Sequence, residues 1–227
     1  AIGTRSLEAN TEGNSNAGLG KDALKLNTTG DQNTAVGADA LEANTTASNN
    51  TAVGYQALVL NTTGAGNNAI GAFCLDANTT GGNNVALGNS ALSSNTTAND
   101  NVAIGVGAMD GNTTGAQNTA VGRGALDLNT TADNNTAIGY NTLDANTTGA
   151  LNTAVGASAL GGNTTASNNT AVGAAALVAN TTVTENVAVG GSALDANTTA
   201  DANTAIGYNS LTTNTTGAEN TGVGQGS

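Results

Sequence analysis

The side chains in this sequence that could take part in chemistry are amides, hydroxyls and carboxylates, and they recur at fixed spacing. Asn-Thr-Thr is an N-x-T sequon, whose Asn amide nitrogen can accept a sugar. It occurs at Asn27, Asn44, Asn61, Asn78, Asn95, Asn112, Asn129, Asn146, Asn163, Asn180, Asn197 and Asn214, and Asn49, Asn134 and Asn168 fit the sequon as well. A glycan at each would coat the protein. The same residues can equally be a turn-forming or inward ladder of amides. Two features favour the ladder: a second recurrent Asn, typified by Asn33, never starts a sequon, and the middle Thr, which a sequon leaves free, never varies. Both readings remain open at this level.

Carboxylates share the spacing at Glu8, Glu42, Asp76, Asp110, Asp127, Asp144 and Asp195, but Lys25, Val59, Ser93, Gly161, Val178 and Thr212 interrupt the file. Stacked like charges repel and would invite a cation, yet an interrupted file is expected to be a solvated face. The calcium-binding nonapeptide of secreted β-rolls does not recur. Cys74 is the single cysteine and histidine is absent, so a thiol nucleophile has no base. Glycine is abundant but no G-K-[ST] follows it, so there is no phosphate loop. No catalytic residue, metal or cofactor is expected, and the chain is not expected to be an enzyme. Tyr55, Tyr140 and Tyr208 share one repeat position as sparse contact points.

These positions are set by an internal repeat, which precedes any other reading. Asn16, Asn33, Asn50 and Asn67 open a 17-residue series that continues to Asn220. With Asn33 as column one, the unit reads N-T-A-V-G-x-x-A-L-x-x-N-T-T-G-x-x. Residues 1–227 form a single array: a partial unit 1–15, twelve units over 16–219, and a partial unit 220–227. Because it starts and stops within a unit, it is expected to be a segment of a longer fibre.

Column five is always Gly, column four always Val, Ile or Leu, and column nine Leu except Met109. A helix needs apolar residues at i, i+3, i+4 and i+7, and Gly, Asn and Thr are poor helix formers. The pattern therefore predicts an all-β fold of short strands and turns, a parallel β-solenoid with one 17-residue repeat per coil. Columns two to four (Thr34, Ala35, Val36) are the first strand, with Ala35 facing opposite to its neighbours. Ala40–Leu41 and Thr45–Thr46 are two further strand candidates. Ladders are expected of Asn33, Asn50 and Asn101, of Val36, Val53 and Ile104, of Gly37 and Gly54, and of Leu41 and Leu58, with the Val/Ile and Leu columns stacked inside. Asn is suited to amide ladders in stacked strands. Thirteen or so coils at ~4.8 Å each would give a rod on the order of 60 Å long.

Composition supports a slim, self-associating object. Aromatic residues are 2%, charged residues 9%, and the formal net charge is −12 with only four Lys and Arg. That excludes a phosphate-binding basic surface, hence nucleic acid, and disfavours an anionic membrane. No apolar run is long enough to span a bilayer. One Val and one Leu buried per coil are a small return on the backbone entropy of a coil. Further burial between chains is therefore expected, against the invariably small column three (Ala35, Ala52, Ala69).

At Asn101-Val102-Ala103-Ile104-Gly105 the unit resembles the head repeat of YadA-type trimeric autotransporter adhesins. The same signature recurs at Ala69-Ile70-Gly71, Ala86-Leu87-Gly88, Ala137-Ile138-Gly139 and Ala205-Ile206-Gly207. The resemblance implies a left-handed parallel β-roll, a homotrimer, and display on a bacterial surface for adhesion. The unit here is longer, with N-T-T as an insertion in every coil, and is also similar to repeats of phage tail-fibre and other surface-fibre proteins.

The expected function is an extracellular or cell-surface structural or adhesive fibre module, an adhesin head or filament. Its expected partners are itself, as a trimer or head-to-tail fibre, and glycans or host surface ligands. A phage tail-fibre shaft is the alternative. Ice binding is a weaker one. Adjacent Thr45 and Thr46 face opposite sides, which leaves one file, and a second file in column two is interrupted by Ala17, Asn68, Val85, Val102 and Val187.

Overall fold

The computed structural model describes residues 1–227. The chain forms an all-β, parallel β-solenoid with one short strand in each 17-residue repeat. It comprises two compact units, Ala1–Ala116 and Gln117–Ser227. The first holds β1 (Ala17–Leu19), β2 (Thr34–Val36), β3 (Thr51–Val53), β4 (Asn68–Ile70), β5 (Val85–Leu87) and β6 (Val102–Ile104). The second holds β7 (Thr119–Val121), β8 (Thr136–Ile138), β9 (Thr153–Val155), β10 (Thr170–Val172), β11 (Val187–Val189), β12 (Thr204–Ile206) and β13 (Thr221–Val223). Within each unit every strand pairs in parallel with the next in chain order, and each residue meets its own column: Thr34 with Thr51 and Val36 with Val53 in the first, Thr136 with Thr153 and Ile138 with Val155 in the second.

The strand alternates as expected, but its faces are the reverse of those expected. Column three is the buried one: Ala35, Ala52, Ala137 and Ala154 have no exposed surface. Columns two and four point outward and are half-buried or exposed in every strand, with Ile70 at 45% and Ile138 at 40%. Val36, Val53 and Ile104 thus form their ladder on the outside, and the small column is core rather than a surface for a second chain. The reason is the width of the coil. At Gly18, a column-three glycine, an added Cβ would lie 2.5 Å from Ser6 Oγ and 3.5 Å from Leu7 Cγ, and at Gly222 one would lie 2.8 Å from Leu211 Cγ and 2.9 Å from Ser210 Oγ. The side chains of columns eight and nine fill the far side of the coil and leave room for only a small residue in column three.

The two further strand candidates are turns. Leu41 and Leu58 are fully buried but sit at φ 51° and 53°. A left-handed Leu costs roughly 1–2 kcal/mol, while full burial of its side chain returns roughly 1.5–3 kcal/mol, so burial wins. Columns seven and seventeen take the same conformation, as at Asp39 (φ 60°) and Asn49 (φ 64°); polar residues such as Asp and Asn tolerate it better. Three left-handed residues per coil turn the chain without proline or long loops. These segments still stack through axial hydrogen bonds: Leu41 N–H donates to the Ala57 carbonyl at 3.0 Å, and Asp39 N–H to the Lys21 carbonyl at 2.9 Å.

Candidate functional surface

The amide residues that carried the glycan reading lie in the core. All twelve N-T-T asparagines belong to column twelve; Asn27 through Asn197 are fully buried, and Asn214 is half-buried. In the coil of Asn44, Nδ2 donates to Asn27 Oδ1 of the preceding coil at 2.8 Å and to its own Ala47 carbonyl at 3.0 Å. The same pair of bonds recurs at Asn61, Asn78 and Asn95 in the first unit and at Asn146, Asn163 and Asn180 in the second. An N-linked sugar would take one donor and demand solvent where there is none. Burial counts against the acceptor reading for Asn27, Asn44, Asn61, Asn78, Asn95, Asn112, Asn129, Asn146, Asn163, Asn180 and Asn197 in the folded chain. Asn49, Asn134 and Asn168 are exposed.

Column one is the second amide ladder. Asn50 N–H donates to Asn33 Oδ1 at 3.0 Å, and Asn33 Nδ2 donates to the Ala47 carbonyl at 2.8 Å. Asn101 repeats the pattern through Asn84 Oδ1 and the Gly115 carbonyl. One column-fifteen carbonyl thus accepts from columns one and twelve of its own coil and ties the far arm of the coil to the strand. Column thirteen adds a hydroxyl link, Thr45 Oγ1 to the Thr62 carbonyl at 3.3 Å.

Gly37 and Gly54 take φ of 135° and 144°, and a Cβ on either would fall far inside van der Waals contact with the carbonyl of the next column-five glycine. Column five is glycine for both reasons.

The carboxylate file makes local pairs. Ser93 Oγ donates to the Asp110 carboxylate, Thr212 Oγ1 to Asp195, and Lys25 Nζ lies 3.2 Å from Glu42. Three of the six residues that interrupt the file, Lys25, Ser93 and Thr212, thus pair with a carboxylate of the neighbouring coil. Burial raises the Asp76 and Asp144 carboxyls above the ordinary carboxylate range, while the Arg5 guanidinium holds Asp22 below it. No group of three or more acidic or sulfur side chains is placed to hold a metal ion. Cys74 is fully buried, its Sγ donates to the Gly88 carbonyl at 2.6 Å, and burial pushes its thiol up.

Three of the files that face solvent bear on recognition. Column fourteen is an exposed file of threonines, typified by Thr46 and Thr148. Column six carries Tyr55, edge-on to Phe73 with centroids 5.3 Å apart, and Tyr140, beneath the Arg123 guanidinium at 6.0 Å. Columns two and four form the outward sheet face. All 20 charged residues fall in columns six, seven, ten, fourteen, sixteen and seventeen, so that face is uncharged throughout. Sequence reasoning missed it by assigning Val and Ile to the core. Comparison of the chain with protein-family models, with curated proteins and with solved structures finds no match.

Proposed function

We propose that this chain is a non-catalytic module of an extracellular fibre, an adhesin-type head or filament shaft in which repeat number sets length. The axial hydrogen bonding carries this reading. Each coil offers the same backbone, Asn and Thr donors and acceptors to both neighbours, as between Asn33, Asn50 and Asn67. A further coil, in this chain or another, extends those ladders at no new geometric cost. The resemblance at N-V-A-I-G supports a cell-surface setting. Self-association through column three is withdrawn, since those alanines are core. Axial addition of coils remains, and lateral partners or host ligands would meet columns two, four, six and fourteen.

Electron microscopy of the native assembly tests this. A slender rod that lengthens by about 4.8 Å for each added unit is expected. Compact particles whose size ignores repeat number would overturn the reading. Antibody labelling of intact producing cells tests location, with surface label expected.

A further inference from the structure

We propose that the outward face of β7–β13 binds ice. In this unit six of the seven column-two residues are Thr, and the seventh is Val187, which has the shape of Thr. Every column-four residue is Val or Ile. The paired file that adjacent threonines in one arm could not supply is supplied by two residues of one strand, on the same side of Ala137 and its counterparts. In-register pairing repeats the two files at ~4.8 Å along the stack and ~6.6 Å across the strand. Thr170 stands beside Val187 and Val172 beside Val189. β-Branched side chains hold χ1 stiffly, so the array is ordered before anything lands on it. The chain supplies no partner for the Thr136, Thr153 and Thr170 hydroxyls, which remain open to water oxygens while the neighbouring methyl groups fill hollows between them.

Charge, rings and area decide among periodic partners. A mineral lattice calls for carboxylates, and the face has none. Crystalline polysaccharide calls for aromatic platforms, and Tyr140 and Tyr208 lie in column six, off the strands. A second copy calls for roughly 800 Å² per partner, whereas seven strands present about 30 Å by 10 Å. A rigid, uncharged lattice of hydroxyl and methyl groups suits ordered water. The first unit carries a poorer version, broken in column two by Ala17 and Asn68.

The test is thermal hysteresis and ice-recrystallisation inhibition of the purified chain, with its sedimentation measured alongside. Hysteresis with faceted crystals is expected. It is expected to be lost in Thr153→Lys/Thr170→Lys, retained in Thr153→Val, and unchanged in Glu185→Lys on the exposed column seventeen, with circular dichroism unaltered in all three. Should the double variant unfold, Thr170→Tyr blocks the face by bulk instead and is expected to lose hysteresis. No hysteresis in the unaltered chain, or its survival in a folded double variant or in Thr170→Tyr, overturns the proposal. So does an oligomer that the folded double variant converts to monomer, because the face then belongs to a second copy.

Discussion

Val183 stands in column fifteen, where every other coil has Gly or Ala, and the amide ladder lapses beside it. Asn180 Oδ1 and Asn197 Oδ1 are buried without a partner. A Cβ in this column points at the carbonyl of the next coil, as it would from Gly149 toward Ala166, so the two extra methyl groups of Val wedge that step of the stack. Val183→Ala is expected to close it and restore the Asn197–Asn180 bond. An unpaired buried polar group costs about 1–3 kcal/mol, and a gain of about that size in chemical denaturation checks the assignment. Asp76 is a second local fault, with Oδ1 buried and unpaired and its carboxyl raised by burial. A folded-state pKa above the unfolded one means the native state holds the extra proton. The penalty is full above the folded pKa and relieved as pH falls through the window down to the unfolded value. Asp76→Asn is therefore expected to raise the melting temperature at neutral pH and to leave it unchanged in strong acid, where melting curves should converge.

Each coil is one strand plus two stacked arms, and its inside and outside can be told apart by truncation. Leu58→Ala empties the full width of the coil and is expected to cost about 2–5 kcal/mol. Val53→Ala removes half-exposed methyl groups from the sheet face and is expected to cost under about 1 kcal/mol. Equal losses in urea unfolding would contradict the orientation of the strand. Gly37→Ala places a Cβ against the Gly54 carbonyl at a φ of 135°. With backbone on both sides nothing flexible can give way, and a loss of more than about 3 kcal/mol is expected. The small columns are thus small for different reasons: column three for the side chains of columns eight and nine across the coil, column five for the backbone of the next coil.

At the scale of the whole molecule the repeat is the unit of stability. In such arrays stability approximates a sum of repeat and nearest-neighbour terms. Deleting residues 50–66 removes one 17-residue period and joins Asn49 to Asn67 in column order. The shortened chain is expected to keep its circular dichroism spectrum with a modest drop in melting temperature. Deleting only residues 50–58 removes β3 and fuses column seventeen to column ten, and is expected to abolish the cooperative transition.

The period, the coil, the parallel stacking and the two amide ladders were legible in the residues. A spacing of 17 with Asn33, Gly37, Leu41 and Asn44 recurring in place leaves identical residues nowhere to go but above one another. Alternation along Thr34-Ala35-Val36 was legible too, but alternation gives parity and not sign. Which parity faces inward depends on what fills the far side of the coil. That is the column-nine Leu, held in a left-handed conformation that its side-chain type argues against and that only burial across the whole coil repays. The sequence by itself therefore determined a stack of identical coils joined by Asn. Only the tertiary structure decided that Ala35 goes in while Thr34 and Val36 go out. That choice leaves an uncharged, regularly spaced face open to solvent, while the Asn-Thr-Thr asparagines from Asn27 to Asn197 lie in the core.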